Sequence, residues 1–387
     1  MTQQVRAFFR WLPTSLLMLT TVAFNPVAQA QDTPAESGKQ SKSIWKLQNT
    51  PNNNFANILE SLSADSENDL WAVGDFVSLK FDGKKWTLVP LAFPGGEASM
   101  DGIAVVSSTD VWAVGSTLQN GTHLISVIEH FDGQRWSIVT SPQFSSGSQL
   151  FKIAALSATD IFAVGATNSD AQKGTPLVEH FDGNSWTVVK TPKLPKGQTG
   201  ILNGISALSH NDLWVVGAGR VQGTAGPPIV WHFDGSQFTP VPFPVADASI
   251  GGITQITSND AWIVGSNGTA LTVHWDGTAW TEVPNPGGGA GTVTGLSQAA
   301  AVSSTDIWAS GDLTFAGGGF FNFAEHWDGT SWTVSPIPTS EQEFDELNAA
   351  LAFPNGHVYL AGTRIGPCNQ QTCGVFDSVV FRTTKGK

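Results

Sequence analysis

Short apolar runs alternate with brief polar turns along most of the chain, a pattern that favours short strands over long amphipathic helices. In the first recurring signature, an apolar run leads into a turn S-x-x-D, whose Asp opens the segment D-x-W-A-V-G. The pattern returns every 41 to 52 residues or so, which is typical of a repeat architecture. Its copies, the last of them decayed, end at Gly74, Gly115, Gly165, Gly217, Gly265, Gly311 and Gly362.

A second signature lies between successive copies of the first. It is an apolar run ending in E-H-F-D-G or a variant, followed by two spacer residues and an aromatic residue that opens another apolar run. Asp-Gly between two such runs is a strong signal for a β-hairpin. The aromatic positions are Trp86, Trp136, Trp186, Phe238, Trp280 and Trp332. A further copy is split, because the C-terminal run SVVFRTT has no outer partner, whereas the N-terminal SIWKLQNTP, with Trp45, resembles the missing half.

Together the two signatures predict four antiparallel strands in each unit. Four-stranded units repeated radially are the blades of a β-propeller. The sequence therefore predicts an all-β chain folded as a seven-bladed β-propeller of four-stranded blades. We expect the N-terminal strand to complete the last blade and so close the ring.

These motifs resemble kelch repeats, and more closely those of exported bacterial proteins that carry S/T-D-x-W-A-V-G and E-H-W-D-G-T-x-W. The resemblance covers Ser43–Phe381 and implies a kelch-like propeller. The units differ from kelch repeats in ending with one Gly where kelch repeats usually have two, and in having Phe or Trp before the Asp. Because similar propellers serve as binding scaffolds, oxidases, lyases and isomerases, the resemblance implies fold more than role.

The N-terminus has the features of a secretory signal. Arg6 and Arg10 precede an apolar stretch, and Ala28-Gln29-Ala30 offers a cleavage site. We therefore predict a signal peptide at 1–30, a flexible linker at 31–42 and the propeller at 43–387, with a secreted or periplasmic location. In an oxidising compartment, Cys368 and Cys373 are expected to form a small disulfide; free thiols and a metal pair are the alternatives.

The chain is acidic, and this restricts its partners. Its formal net charge is −13, and removal of the two signal-peptide arginines makes it −15. Binding to a phosphate backbone depends on clustered Lys and Arg, so we expect no nucleic-acid partner. The apolar N-terminal stretch is too short for a stable membrane span. We expect a monomer.

Histidine and aspartate recur at fixed positions of the repeat, which favours a structural role. We expect these residues to pack and to form turns, and we predict no metal and no cofactor. The five repeated histidines are His130, His180, His232, His274 and His326. The aspartates in D-x-W are Asp69, Asp110, Asp160, Asp212, Asp260 and Asp306, and those before the hairpin Gly are Asp82, Asp132, Asp182, Asp234, Asp276 and Asp328.

We expect the functional residues to lie where the sequences of the units differ. The S-x-x-D and F-D-G turns are uniform and lie on one face, so the connections of variable length lie on the other, which we call the variable face. The principal hypothesis is a non-enzymatic scaffold that binds a glycan, peptide or protein there. The apolar rings and glycines of the run Leu313–Phe323 suggest a stacking platform for a sugar or a hydrophobic partner. The candidate binding residues are Asp75, His123, Asp170, Arg220, Asn267, Asp312, Phe315 and Arg364.

The sequence identifies no catalytic residue and favours a protein without enzymatic activity over an enzyme. The sole tyrosine, Tyr359, stands at a packing position, which argues against sialidase, copper-radical oxidase and Tyr-dependent lyase chemistry. The alternative hypothesis is a carbohydrate-active lyase or hydrolase using two carboxylates on the variable face. Its candidates are Asp101, Asp312, Glu343 and Asp345.

Overall fold

The computed structural model describes residues 43–52, 57–93, 98–119, 123–168, 174–287, 292–315, 320–338, 344–365 and 376–384. All of them belong to the compact unit Ser43–Lys387. The predicted signal peptide and linker lie outside the described residues, as do Cys368 and Cys373.

The described residues form 28 strands, and every pairing between them is antiparallel. Four consecutive groups of four strands form separate sheets, each in simple up-and-down order. They are β10 (Ser148–Ser157), β11 (Asp160–Thr167), β12 (Thr175–Phe181) and β13 (Trp186–Val188); β14 (Gln198–Ser209), β15 (Asp212–Val221), β16 (Thr224–Phe233) and β17 (Phe238–Pro240); β18 (Ser249–Thr257), β19 (Asp260–Ser266), β20 (Ala270–Trp275) and β21 (Trp280–Glu282); and β22 (Thr292–Ser303), β23 (Asp306–Phe315), β24 (Phe320–Trp327) and β25 (Trp332–Ser335).

A fifth four-stranded sheet contains strands from both ends of the described chain, in the order β1-β28-β27-β26. Trp45 lies opposite Thr383 in this sheet, and Leu47 lies opposite Phe381. Its strands are β1 (Trp45–Leu47), β26 (Phe344–Ala352), β27 (Val358–Ile365) and β28 (Phe376–Thr383).

The remaining eight strands form one continuous sheet. The first four and the last four are joined where Asp75 pairs with Ser99, and the Ser99 hydroxyl also donates a hydrogen bond to the Asp75 carboxylate. The strands are β2 (Ile58–Ser66), β3 (Asp69–Asp75), β4 (Val77–Phe81), β5 (Trp86–Leu88), β6 (Ala98–Ser107), β7 (Asp110–Gln119), β8 (His123–Phe131) and β9 (Trp136–Val139).

The prediction of seven separate four-stranded blades is therefore wrong. Hydrogen bonding divides the strands into five four-stranded blades and one eight-stranded sheet. The physical reason is the pairing of Asp75 with Ser99, which joins the first two sequence units through their backbones. The repeat motifs do not predict this pairing, because the residues just after W-A-V-G differ from unit to unit.

The hydrophobic core lies between neighbouring sheets. In one cluster, Trp112 and Ile128 of one unit pack with Ile161 and Trp186 of the next. In another, Trp45 and Phe381 pack with Trp308. Neighbouring aromatic rings meet in tilted or edge-to-face pairs, as for Trp45 on Trp308, which meet edge to face at a centroid distance of 5.2 Å. Buried aromatic side chains contribute large apolar areas, so this interlocking supplies much of the stability.

The glycine that ends W-A-V-G is required because the backbone of the inner strand passes very close to it. A Cβ built on Gly165 would lie 1.9 Å from the carbonyl oxygen of Gln149, and one on Gly74 would lie 1.6 Å from that of Ile58. Neither glycine has a positive φ. Close approach, rather than a left-handed backbone, explains the motif.

Candidate functional site

The first strand of each unit carries a β-bulge at the same place. In β2 the pairing skips Glu60, between Leu59 and Ser61, and in β6 it skips Asp101. A bulged residue leaves the regular ladder, so its groups become available to other partners. Five further bulges fall at the corresponding residues Phe151, Asn203, Gly251, Ser297 and Asn348.

Lys152 links three of these first strands. Its Nζ lies 3.0 Å from the carbonyl oxygen of Glu60 and 3.1 Å from that of Asp101, and it donates to both. Both acceptors are bulge carbonyls, and the lysine comes from the first strand of a third unit, β10. The first strands therefore direct polar groups toward a shared interior.

Carboxyl groups lie near these bulges, on the first strands and, for Asp312, on the second strand β23. The Asp101 side chain is buried, and Gln149 donates to its Oδ2 at 3.3 Å. Asp312 at the end of W-A-S-G accepts a hydrogen bond from the backbone N–H of Leu347 at 3.4 Å. Glu346 precedes Leu347. Its negative charge repels that of Asp312, and the charge of Glu60 in turn repels that of Glu346. We call Glu60, Asp101, Lys152, Asp312 and Glu346 the inner-strand cluster.

Burial and mutual repulsion disfavour ionisation of these acids. Burial, followed by the charge of Glu346, raises the pKa of Asp312 to about 8. Burial, followed by the charge of Glu60, raises the pKa of Glu346. Like charges that share a desolvated site favour the protonated form of one of them. A cation beside these groups would lower the pKa of both Asp312 and Glu346, and their ionised carboxylates would bind it.

Of the predicted binding residues, Asp312 alone belongs to this cluster, and of the four acids of the enzymatic alternative, Asp101 and Asp312 do. Asp75 accepts from Ser99. Arg220 donates to the carbonyl of Gly223 at 3.4 Å, and burial lowers its pKa. Asn267 closes its own turn by accepting from the Thr269 hydroxyl at 3.1 Å.

The other predicted residues lie outside the inner-strand cluster or outside the described side chains. His123 is exposed at the start of β8, and Arg364 is half-buried in β27 opposite Asp345 and Asp377. The backbone of Phe315 ends β23, but its side chain lies outside what the structure describes, as do Asp170 and Glu343 entirely. For Asp345 only the strand position is described.

Sequence reasoning missed Glu60 and did not bring Lys152 and Glu346 together. A signal was present in the repeats. When the units are aligned on W-A-V-G, the bulge position holds Glu, Asp, Phe, Asn, Gly, Ser and Asn, although the residue before it is Leu, Met or Ile in every unit. This position varies and is polar in five of the seven units, whereas the residue before it is always apolar, which indicates a role other than packing.

The repeated histidines lie beside the S-x-x-D and F-D-G turns, on the face that we call the uniform face, and each makes the same two contacts. Each ring packs on the aromatic residue of W-A-V-G at a centroid distance of 4.2–4.6 Å, and its Nε2 lies 2.7–2.9 Å from the D-x-W aspartate. Two units have a lysine or an arginine in place of the histidine. Lys80 lies over Trp71, and Arg382 lies over Tyr359.

Comparisons with solved structures show a β-propeller fold with WD40-like neighbours. The structure of YCF48 bound to D1 peptide matches with a TM-score of 0.59 and 14% identity, over 92% of this chain and 99% of that one. YCF48 from Cyanidioschyzon merolae matches at 0.56 and 14%, over 88% and 98%. The RRP9 WD40 repeats match at 0.57 and 13%, over 88% and 97%.

No protein-family model and no curated protein matches the chain. At these identities the structural likeness shows the fold alone. Within the described ranges, no helix has the length and apolar character needed to cross a membrane.

Proposed function

We propose that the protein is a binding scaffold that holds a basic segment of a peptide or protein partner at the inner-strand cluster. The observation that carries the proposal is the set of coupled carboxyl groups from three neighbouring units, Asp312, Glu346 and Glu60. A lysine, arginine or amino-terminal group of a partner would neutralise them in a site of low polarity, where a charge pair is strong.

Two further observations support this proposal, one for the positive charge of the partner and one for its being a peptide. The chain has a net charge of −13, which attracts basic ligands and speeds their encounter. A propeller of the same fold has been solved as YCF48 bound to D1 peptide, so a peptide can be held by this architecture. The observations favour a peptide over a glycan, because a glycan offers no positive charge to the cluster.

The test is a titration of the purified protein with a matched pair of fluorescent ten-residue peptides, one containing several lysines and the other containing glutamines in their place. We expect only the lysine peptide to bind, and binding to weaken with salt because the attraction is electrostatic. The double variant Asp312→Asn/Glu346→Gln should weaken it at least tenfold.

Asp65→Asn is the matched control. This residue is exposed at the far end of β2, so its removal changes the net charge without touching the cluster. If neither peptide binds, or if the double variant and the control lose affinity equally, the proposal is wrong.

A second candidate function is carbohydrate cleavage, which the paired carboxyls Asp312 and Glu346 favour. A carboxyl group with its pKa raised to about 8 remains protonated at neutral pH and is suited to act as a general acid. The test is release of reducing ends or unsaturated sugars from a panel of plant and bacterial polysaccharides. Activity of the wild type that is abolished in Asp312→Asn would establish this second function and contradict the proposal of a non-enzymatic scaffold.

We also propose that the scaffold is a kelch-like, exported monomer with a disulfide between Cys368 and Cys373, as the sequence predicts. Mass spectrometry of the protein from its native source would identify the first mature residue, expected at Gln31. Light scattering would report the mass in solution. An uncleaved N-terminus, or free thiols in the isolated protein, would contradict the corresponding part.

A further inference from the structure

In the unit built from β10 to β13, the D-x-W aspartate contacts a second histidine, which comes from the following unit. In two other units the indole Nε1 of the W-A-V-G tryptophan donates to the aspartate, as Trp112 does to Asp110 at 2.8 Å and Trp308 to Asp306 at 3.0 Å. Here the aromatic residue is Phe162, which has no N–H to donate. Asp160 is therefore open to another partner.

That partner is His210, which comes from the S-x-x-D turn of the following unit. Its Nδ1 lies 3.0 Å from Oδ1 and 3.2 Å from Oδ2 of Asp160. His180 approaches the same Oδ1 through Nε2 at 2.7 Å. The corresponding residues of the other S-x-x-D turns are Glu67, Ser108, Ala158, Ser258 and Ser304, so His210 is the one histidine at this position of the repeat.

We propose that Asp160, His180 and His210 form a binding site for a divalent transition metal, with Zn²⁺ as the preferred ion. Their three ligand atoms all lie within 4.8 Å of one another, and no other such group of His, Cys, Asp or Glu side chains occurs among the described residues. Two imidazole nitrogens and one carboxylate oxygen are a ligand set that zinc accepts.

The geometry needs little adjustment to hold the ion. Zinc bonds of about 2.0–2.2 Å in tetrahedral geometry place neighbouring ligand atoms roughly 3.3 Å apart. The Asp160 oxygen lies 2.7 and 3.0 Å from the two imidazole nitrogens. All three side chains are partly exposed, with His210 at 44% and His180 at 18%, so water can complete the coordination.

The ion would connect two units of the propeller. Asp160 and His180 belong to the sheet β10 to β13, and His210 belongs to the turn between β14 and β15. Because the ion binds the folded state and requires ligands from both sheets, it would stabilise their contact by mass action.

The experiment uses the full mature chain, freed of any affinity tag and stripped with a chelator. Zn²⁺ is titrated by calorimetry, the bound metal is counted by elemental analysis after dialysis, and Co²⁺ absorption reports the coordination geometry. We expect one ion per chain, a tetrahedral or five-coordinate Co²⁺ spectrum, and a higher melting temperature with zinc.

His210→Ser places in this turn the residue found at Ser108 and Ser258, so it removes the third ligand without disturbing the turn. It should weaken zinc binding at least tenfold and abolish the thermal shift. His274→Gln is the matched control, because its histidine pairs with Asp260 in the same way but the turn that follows supplies Ser304 in place of an imidazole. This control should bind zinc like the wild type.

A Cys368→Ser/Cys373→Ser variant separates binding at this site from binding by the two thiols, and it too should retain the ion. The proposal is overturned if the wild type binds no metal, if His210→Ser binds as well as wild type, or if binding is lost only in the cysteine variant. Any of these results would leave His210 as a hydrogen-bond donor that replaces the missing indole.

Discussion

At the scale of single residues, the glutamates of E-H-F-D-G show how one motif position has different chemistry in different units. Glu129 is buried but accepts backbone N–H bonds from Ala92 at 2.7 Å and Phe93 at 3.1 Å. Glu325 accepts one such bond, from Gly287 at 2.9 Å. Glu179 is equally buried, yet neither of its oxygens has a hydrogen-bond partner among the described residues.

Burial raises the pKa of Glu179 to about 8. Between about pH 4.5 and pH 8, Glu179 is therefore protonated in the folded protein and ionised in the unfolded chain. Because the folded state binds the extra proton, the free energy of unfolding falls as pH rises through that window. Glu179→Gln removes the effect. Between pH 5 and pH 8 the free energy of unfolding of the variant should rise relative to that of the wild type by up to a few kcal/mol, since one pKa unit corresponds to about 1.4 kcal/mol.

Urea unfolding at a series of pH values measures this gain. Glu282→Gln serves as the comparison, because that side chain is exposed on β21 and its replacement should leave the pH profile unchanged. Parallel wild-type and Glu179→Gln profiles would contradict a buried, protonated Glu179.

At the scale of strands and turns, the glycine that ends W-A-V-G gives a second prediction. In Gly165→Ala the new methyl group would lie 1.9 Å from the Gln149 carbonyl oxygen, which belongs to the backbone and cannot move aside alone. We expect a loss of about 1–3 kcal/mol or more, as for other overpacked cores.

Gly295→Ala is the comparison for this substitution. A Cβ at Gly295 would meet only the Cβ of Ser266, at 3.6 Å, which is an ordinary contact. Chemical denaturation should therefore separate the two variants clearly. Equal stability of Gly165→Ala and Gly295→Ala would show that the strands can part at no cost.

The turns and strands were largely predictable because they depend on local chemistry. Asp-Gly predicts a hairpin, and in the structure Gly183 has φ 94° while Asp182 Oδ1 accepts the backbone N–H groups of Asn184 and Ser185. The bulges were not predicted. A bulge depends on how two strands pair, and Glu60 lies in a run with no local mark of irregularity, so only the repeat alignment could have shown it.

At the scale of the whole molecule, the division into sheets and the convergence of the inner-strand cluster are long-range outcomes. Whether two units join into one sheet depends on the single pairing of Asp75 with Ser99, which no repeat signature encodes. The cluster likewise brings Lys152 beside Glu60, 92 positions earlier in the chain. The repeats predict that such positions face one another, but not which of them meet.

The two ends of the described chain are held together by a small number of residues, of which Trp45 is the largest. It is 3% exposed, packs edge to face on Trp308, and donates through Nε1 to the Ser335 hydroxyl at 3.0 Å. Backbone bonds from Gln48 to Val380 and from Thr384 to Ile44 flank it. Since β1 has only three residues, its hydrogen bonds alone would hold it weakly, and the indole is what secures it against the neighbouring sheet.

Trp45→Ala should therefore cost about 3–5 kcal/mol in the free energy of unfolding, as for other buried Trp residues replaced by Ala. Guanidinium unfolding followed by far-ultraviolet circular dichroism measures it, with Ile138→Ala as the control because that side chain is 52% exposed. The loss should be accompanied by faster proteolysis near β1 and β28, since both strands would separate more often. A Trp45→Ala protein as stable as the control would mean that the packing of the other sheets holds the two chain ends in place without this side chain.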